Sequence, residues 1–263
     1  KARNGERCSA AAAYLHPVQK SRSNLTVITG AHATKIVMEG KRAVGVAYRQ
    51  KGQDHEVRAT REVLLAGGVF NSPQLLMLSG IGPEQEIRRH GITVLHDLPG
   101  VGKNLQDHLD FILACKSKDT DNFGIGLAGT IGLTKHILKW RKDGTGMIAT
   151  PFAEGAGFLK TDPALDRPDI QLHFVISIVD DHARKLHLGY GYSLHVCVLR
   201  PHGRGEVFLQ SADPMAAPGI DPKFLSDRRD LELLIKGAKM AREILQAPAM
   251  KNYCHKELFG VTT

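Results

Sequence analysis

The sequence contains no long apolar run. None of its 263 residues belongs to a stretch approaching the roughly 20 apolar residues that a membrane-spanning helix needs. No charged-then-apolar segment resembling a signal peptide opens the sequence either. These features predict no transmembrane segment, and we expect a cytoplasmic protein or one that is peripheral to the inner membrane.

Cysteine is scarce and scattered. Disulfide frameworks and zinc ribbons place cysteines at short, regular spacings. No C-x-x-C pair occurs here, so neither type of site is predicted and a reducing compartment fits. The cysteines are Cys8, Cys115, Cys197 and Cys254.

A metal site is not predicted from the histidines. The densest group, Asp180–His182 with His187, lacks the H-E-x-x-H spacing that places two ligands on one helix face. The sequence also has no G-x-S-x-G motif and no Cys/His arrangement for nucleophilic catalysis.

Aromatic residues make up only 6% of the chain, and Trp140 is the sole tryptophan. The net charge is +8, but the basic residues are dispersed and their longest cluster, Lys139–Lys142, is typical of a solvated helix end. A nucleic-acid binder needs a contiguous cationic face and exposed stacking aromatics. We therefore predict no nucleic-acid partner.

The stretch from Val63 to Gly82 has the pattern of a βα unit. Val63–Ala66 is apolar without alternation, like a strand buried on both faces of a parallel sheet. Gly67–Gly68 predicts a sharp turn, and Ser72–Pro73 predicts the N-cap and first position of a helix. Nucleotide-binding folds place such a unit beside a cofactor, although other α/β domains contain similar units.

The segment GVFNSPQLLMLSGIG, residues 68–82, resembles the second signature of the glucose–methanol–choline (GMC) family of flavin oxidoreductases. Further blocks resemble the family in the same order along nearly the whole chain, which makes the resemblance more specific than any single block. These blocks are RAVGVAY (42–48), DLPGVGKNLQDHL (97–109), RPHGRGEVFL (200–209) and IDPKFLSD (220–227). The chain is most similar to the choline-dehydrogenase-like branch.

The resemblance implies an α+β fold in two parts. Residues 1–106 are expected to form a partial FAD-binding α/β part, and residues 107–263 a substrate-binding domain with an antiparallel sheet backed by helices. The periodicity beyond His108 agrees, because it favours antiparallel strands and separate helices. The predicted strands are Phe111–Lys116, Ile170–Val175, Leu194–Leu199 and Glu206–Leu209, and the spacing of leucines and alanines predicts a helix over Asp230–Leu245.

Local patterns predict the smaller elements. They are a helix over Ser9–Leu15 that ends before Pro17, a strand over Asn24–Thr29, a hairpin of Ala33–Met38 with Ala43–Arg49, a helix over Glu84–His90 and a strand over Ile92–Val94.

By resemblance, FAD is the cofactor of the complete protein. The residues implied to lie near FAD are Ala33, Ala66, Gly67, Gly68 and Asn71, with the backbone at Ala33 meeting the adenine. A pyrophosphate cradle needs G-x-G-x-x-G at a strand-to-helix turn. Gly124–Gly129 has these letters but follows a polar run, so we interpret this segment as a flexible loop.

The family uses a histidine base within a histidine–glycine–threonine motif. No such motif occurs up to Thr263, so the base is expected beyond that residue and no catalytic residue is assigned within the chain. We expect an internal part of an FAD-dependent alcohol oxidoreductase that is inactive and without FAD when isolated. The alternative hypothesis is a non-catalytic substrate-binding or interaction module derived from the same family.

Three residues are implied to face a small alcohol substrate: Asp110, Glu154 and His173. A carboxylate such as that of Asp110 would offset the desolvation of a quaternary ammonium group, as in choline. For Asp110 and Glu154, an ordinary exposed or hydrogen-bonded acid fits the sequence equally well. Choline also calls for an aromatic cage, which the sequence does not show, so the alcohol and the electron acceptor are undecided.

Overall fold

The computed structural model describes residues 5–180 and 184–259. Helices and mostly antiparallel strands follow one another without a repeating βα order, which confirms the expected α+β class. The helices are α1 (His16–Gln19), which continues a π-helix over Ala11–Leu15, α2 (Gly68–Leu78), α3 (Glu84–Arg89), α4 (Leu127–Asp143), α5 (Arg228–Gln246) and α6 (Pro248–Lys251).

The strands are β1 (Ala31–Glu39), β2 (Arg42–Gln50), β3 (Gln53–Arg58), β4 (Ile81–Gly82), β5 (His96–Asp97), β6 (Asp110–Ser117), β7 (Gly124–Ile125), β8 (Ala153–Leu159), β9 (Ile170–Val175), β10 (Gly189–Val198), β11 (Glu206–Phe208), β12 (Gly219–Asp221) and β13 (Lys256–Leu258). The four strands that were predicted for the second half of the chain are all present as β6, β9, β10 and β11. Their ends agree with the prediction to within one residue, except that β10 begins at Gly189 and not at Leu194.

The chain divides into two compact units. The first unit contains the chain up to Ser23, His108–His202 and the chain from Asp227 onwards, and the second contains Asn24–Asp107 and Gly203–Ser226. Both units are therefore discontinuous in sequence. The assignment of an FAD-binding part to 1–106 and a substrate-binding part to 107–263 stays a prediction.

The first unit is built on a six-stranded antiparallel sheet in the order β13-β6-β10-β9-β8, with β7 also pairing with β10. Helix α5 packs against one face of this sheet. The core between them contains alternate residues of β10, such as Leu194 and Val196, which meet Leu234 and Ala241 of α5. Because side chains alternate along a strand, this packing commits one face of the sheet to the core, and the intervening side chains lie on the other face.

Helix α5 confirms the prediction for Asp230–Leu245. Its buried stripe contains Asp230, Leu234, Gly237, Ala241 and Leu245, at the three- and four-residue spacings of one helix face. Asp227 caps the start of the helix, and its side chain accepts a hydrogen bond from the Arg229 N–H at 2.9 Å. The hydrogen-bonded Arg229 guanidinium also lowers the pKa of this capping carboxyl well below its usual range.

The second unit contains a three-stranded antiparallel sheet in the order β1-β2-β3 and a parallel pair, β4 with β5, joined through α3. The predicted hairpin forms β1 and β2, and β3 was missed. Helix α2 is tied to β1, since the Ile36 N–H donates to the Ser79 hydroxyl at 2.8 Å. Met77 and Ile87 are fully buried in the core of this unit.

The predicted strand over Val63–Ala66 is wrong. This segment makes no strand, and Leu64 is 81% exposed. An apolar run becomes a central parallel strand only where neighbouring strands flank it, and no described strand pairs with it here. The helix start was also wrong: α2 begins at Gly68 after an N-cap at Gly67, so Ser72–Pro73 lies inside the helix.

Other local predictions need correction. The first helix runs through Pro17 to Gln19, because the proline falls in the first turn of α1, where its missing N–H needs no partner. Neither Asn24–Thr29 nor Ile92–Val94 forms a strand. Gly124–Gly129 is not a loop: it contains β7, a turn at Gly126 and the first residues of α4.

The cysteine spacing indicated no disulfide framework, but Cys115 and Cys254 form a disulfide. The two residues are 139 positions apart in sequence. Pairing of β13 with β6 brings them together, because Lys256 lies opposite Lys116. A separation of this length leaves no spacing pattern to detect, and the expectation of a reducing compartment loses its support.

Two helical glycines give a matched test of the α5 packing. A Cβ at Gly237 would lie 2.8 Å from Val196 Cγ1, whereas a Cβ at Gly132 in α4 would meet nothing within 4 Å. Val196 and Ile170 are fully buried and cannot move aside easily. We expect Gly132→Ala to stabilise by up to about 1 kcal/mol through helix propensity.

For Gly237→Ala we expect a net loss of stability, because overpacking costs about 1–3 kcal/mol and exceeds the gain in propensity. Urea unfolding of both variants measures the difference. An equal gain in both variants would show that α5 is not packed against β9 and β10 as described.

Candidate functional site

The face of the six-stranded sheet opposite α5 carries polar side chains. In the register of the sheet, His195 lies opposite His173, and Cys197 lies opposite both Asp110 and Gln171. Residues directly opposite in antiparallel strands share a face, so these five side chains project from the same side. We call Asp110, Gln171, His173, His195 and Cys197 the polar face.

Asp110 connects two neighbouring strands of the polar face. Its Oδ2 lies 2.7 Å from Nδ1 of His195, and its Oδ1 lies 3.6 Å from Sγ of Cys197. Because an ionised carboxylate can only accept, His195 donates through Nδ1–H. The side chains of His195 and Asp110 are 14% and 29% exposed, so this charge-assisted bond is partly shielded from water on the His195 side.

The second ring nitrogen of His195 has a different environment. Nε2 is buried and has no hydrogen-bond partner among the described residues. With the proton on Nδ1, Nε2 of the neutral ring carries the lone pair and acts as an acceptor. An orphaned buried acceptor is costly, and this polar face therefore holds an unmet hydrogen-bonding group next to the half-buried His173.

Glu154 lies at the other edge of the same sheet. It belongs to β8, where the register with β9 shifts between Ala153 and Gly155, so Glu154 is the extra residue of a bulge. The residue is exposed and lines a cavity of about 350 Å³ with Gly144–Gly146 and Thr150. The structure thus places Asp110 and His173 on one face of the sheet and Glu154 at its edge strand.

The five residues implied to contact a cofactor lie in the second unit and are all exposed: Ala33, Ala66, Gly67, Gly68 and Asn71. Ala33 precedes an irregularity in the register of β1 with β2. The Asn71 side-chain amide donates to the Gly67 carbonyl at 3.1 Å and fixes the turn into α2. Space beside Gly68 is open, since a Cβ there would meet nothing within 4 Å.

Sequence reasoning missed the segment that faces the start of α2. Val69 and Pro73 of α2 line a cavity of about 400 Å³ together with Val101–Gln106 and Val207. Asn104 in that segment has φ +62°, a conformation that side chains rarely adopt. The block DLPGVGKNLQDHL was noticed only for its resemblance, and nothing in its pattern indicated this left-handed residue.

Gly124–Gly129 does not form a pyrophosphate cradle, although it lies at a strand-to-helix turn. A Cβ at Gly124 would lie 2.5 Å from the Tyr190 ring, and one at Gly129 would lie 2.0 Å from the Gly124 carbonyl oxygen. Gly124 and Gly129 therefore serve close protein packing, which leaves Gly126 as the one glycine of this segment with open space beside it.

The residues considered for a metal site make an ordinary ion pair instead. His187 Nε2 lies 2.8 Å from Asp180 Oδ2, while Asp181 and His182 lie outside the described residues. Within 5–180 and 184–259, no group of three or more His, Cys, Asp or Glu side chains is placed to hold a metal ion.

Family profiles described as GMC oxidoreductase match residues 1–110 and 201–261. Together these matches cover most of the chain and include the second unit and helix α5. The chain belongs to the GMC oxidoreductase family. The resemblance drawn from the sequence blocks is thereby confirmed.

Curated relatives of this GMC protein extend the family assignment. It is 46% identical over 262 residues to an alcohol dehydrogenase [acceptor] of Pseudomonas putida, covering 97% of this chain and 47% of that protein. It is 41% identical to the mitochondrial choline dehydrogenase of Homo sapiens, covering 97% of this chain and 42% of that protein. The chain thus spans slightly less than half the length of these relatives.

Solved structures support the same fold. A variant of the Aspergillus oryzae RIB40 formate oxidase, studied for modification of its FAD, matches with a TM-score of 0.83 at 26% identity, covering 92% of this chain and 47% of that one. Pyridoxine 4-oxidase of Mesorbium loti matches with a TM-score of 0.80 at 26% identity, covering 100% of this chain and 47% of that one.

The Asp110–His195 bond gives a testable energetic difference. Asp110→Ala removes the acceptor of a largely buried Nδ1–H, which should cost about 1.5–3 kcal/mol of unfolding free energy. Asp110→Asn keeps an acceptor and should cost less. Glu154→Gln is the matched control, because the Glu154 side chain is exposed and makes no hydrogen bond to any residue in 5–180 or 184–259. It should change stability by less than about 0.5 kcal/mol.

Chemical denaturation measures these differences, and ¹⁵N NMR of the histidines checks that Nδ1 of His195 carries the proton. Equal stabilities for Asp110→Ala and Glu154→Gln, or a proton on Nε2, would contradict the assigned contact.

Proposed function

We propose that this chain supplies the substrate-facing sheet and part of the cofactor contacts of an FAD-dependent alcohol oxidoreductase, similar to the choline dehydrogenases, in which a primary alcohol is oxidised by hydride transfer. Membership of the GMC oxidoreductase family supports the reaction class. The observation that carries the proposal is the polar face: a sheet closed on one side by α5 presents a carboxylate–imidazole pair on the other side.

The cofactor contacts in this proposal come from the backbone. FAD would supply the hydride acceptor. The exposed backbone at Ala33 would meet its adenine, and the turn at Ala66–Gly68, fixed by Asn71, would let the cofactor approach at Gly68 without meeting a side chain.

The substrate contacts come from the polar face and the edge of its sheet. Asp110 accepts from Nδ1–H of His195, so Nε2 of the neutral ring could accept the hydrogen bond of an alcohol hydroxyl once the site opens to substrate. His173 lies on the neighbouring strand, and Glu154 at the edge strand. Asp110 and Glu154 would also attract a cationic substrate.

The substrate is proposed as a primary alcohol, with choline as the cationic candidate. Asp110 favours choline, because it places a carboxylate on the polar face. The polar face offers little of the aromatic cage that a quaternary ammonium group calls for. The strand register places Phe158 on this face, opposite Gln171. Oxidation of a small uncharged alcohol needs no such cage. The relatives include an alcohol dehydrogenase as well as choline dehydrogenases.

The isolated 263-residue chain should bind FAD weakly or not at all and should not oxidise alcohols. The described residues provide no pyrophosphate cradle, and several lost charge-assisted hydrogen bonds of roughly 1.5–3 kcal/mol each weaken binding by several orders of magnitude. No base is assigned in this chain, and losing general-base catalysis costs about a hundredfold or more in rate.

Flavin absorbance of the purified chain, followed by dye reduction with choline and with simple primary alcohols, measures both properties. The matched ligand control is AMP, which carries the adenine side of FAD: we expect FAD to bind no more than about tenfold tighter than AMP, because the retained contacts are on that side. A yellow protein with stoichiometric flavin would refute the binding proposal, and turnover would mean that the base lies within this chain.

The alternative, a non-catalytic substrate-binding module, predicts a different result for a longer protein that contains this chain. If a longer protein containing this chain binds an alcohol but neither retains flavin nor reduces dye, the non-catalytic function is supported.

A further inference from the structure

Helix α4 exposes apolar side chains on its outer face. Leu127, Ile131 and Leu138 recur at spacings of four and seven residues, which places them in one narrow stripe. They are 82%, 51% and 60% exposed. The outer face of a surface helix normally carries polar residues, so this stripe requires an explanation.

The apolar surface continues beside the start of the helix. Strand β7 pairs with the beginning of β10, where Gly189 lies opposite Ile125. Ile125 precedes α4, and Leu188 precedes β10. These two residues and Leu186 are also exposed, at 36%, 71% and 69% respectively.

The orientation of α4 is fixed by its inner face. Gly129 is buried, and a Cβ there would clash with the Gly124 carbonyl oxygen. Trp140 donates its indole N–H to the Gly5 carbonyl at 3.1 Å, and the Met147 N–H donates to His136 Nδ1 at 3.3 Å. Rotation of the helix about its axis would break these contacts, so the stripe cannot turn inward.

Cations flank the stripe. Lys135 and Lys142 lie on one side and Arg141 on the other, by their position in the helical repeat, and Lys139 follows one turn after Lys135. All four are exposed, and none forms an ion pair with any residue that the structure describes. The acid of the helix, Asp143, accepts hydrogen bonds from Thr145.

We propose that α4 lies in the plane of an anionic lipid bilayer, with Leu127, Ile131 and Leu138 inserted among the acyl chains and its basic residues against the headgroups. Interfacial helices combine an apolar face with flanking lysines and arginines in this way. Within the described part of the chain, no helix is long and apolar enough to cross a membrane. The helix therefore lies on the bilayer instead of spanning it.

Charge favours a bilayer over a second copy of this chain. A two-fold interface through the stripe would place the same unpaired cations of both copies close together, and like charges at an interface oppose association. A bilayer that contains anionic lipid presents the opposite charge over the whole length of the helix.

Vesicle co-sedimentation of the full chain tests the proposal. Vesicles of phosphatidylcholine mixed with phosphatidylglycerol should bind the chain, and vesicles of phosphatidylcholine alone should bind it at least about tenfold more weakly. High salt should reduce binding to the mixed vesicles, because exposed charges are screened. Failure to bind the mixed vesicles at low salt overturns the proposal.

The variant L127Q/I131Q/L138Q should lose at least about tenfold in partitioning, because its apolar anchor is gone. The matched control is L231Q/I235Q/I244Q, which changes three exposed apolar residues of α5, a helix that carries charges of both signs. The control should bind like the original chain. Equal losses in the two triple variants overturn the assignment to α4.

Charge is tested separately with K135E/K142E and its α5 control K236E/K239E. Only the α4 pair should weaken binding, by about tenfold or more. Circular dichroism verifies that each variant keeps its helices. If sedimentation velocity instead shows a dimer that the α4 triple variant abolishes, and vesicles do not bind, a second copy covers the stripe and the proposal is wrong.

Discussion

The packing of α5 against the six-stranded sheet is the constraint on which the rest of the first unit depends. Gly237 permits it, because any larger side chain would meet Val196 and Ile170. Once Leu194, Val196 and Val198 face the helix, alternation obliges His195 and Cys197 to face the other way. A single helix contact therefore decides which side of the sheet carries His195 and Cys197.

That constraint also explains why Asp110 and His195 meet although they are 85 residues apart in sequence. Strand β6 begins at Asp110, and its antiparallel register with β10 sets the carboxylate diagonally across from the imidazole. The sheet thus assembles a polar site from three strands without any local sequence motif. The pair is already formed in this structure, while Nε2 of His195 is buried.

Several patterns that lie within one element were predicted well, although the local strands over Asn24–Thr29 and Ile92–Val94 were not. The strands around His173 and His195, the hairpin of β1 and β2 and helix α5 all follow from periodicity within one element. Three failures share a different cause, since each depended on a remote neighbour: Val63–Ala66 has no strands beside it, Cys115 bonds to a residue far along the chain, and Gly124 packs under Tyr190. Asp110 was identified from the sequence as a candidate site residue. Its bond to His195 could not be predicted, because the register between two distant strands cannot be derived from a single sequence.

The claim that the polar face receives the alcohol is tested most directly by NMR of the histidine-labelled chain titrated with choline and with a simple primary alcohol. His173 and His195 should shift in a saturable manner, while His202 and His255, which lie outside the polar face, should not. Two results would contradict the account: shifts confined to His202 or His255, or no shift at all in spectra where the signals of His173 and His195 are resolved.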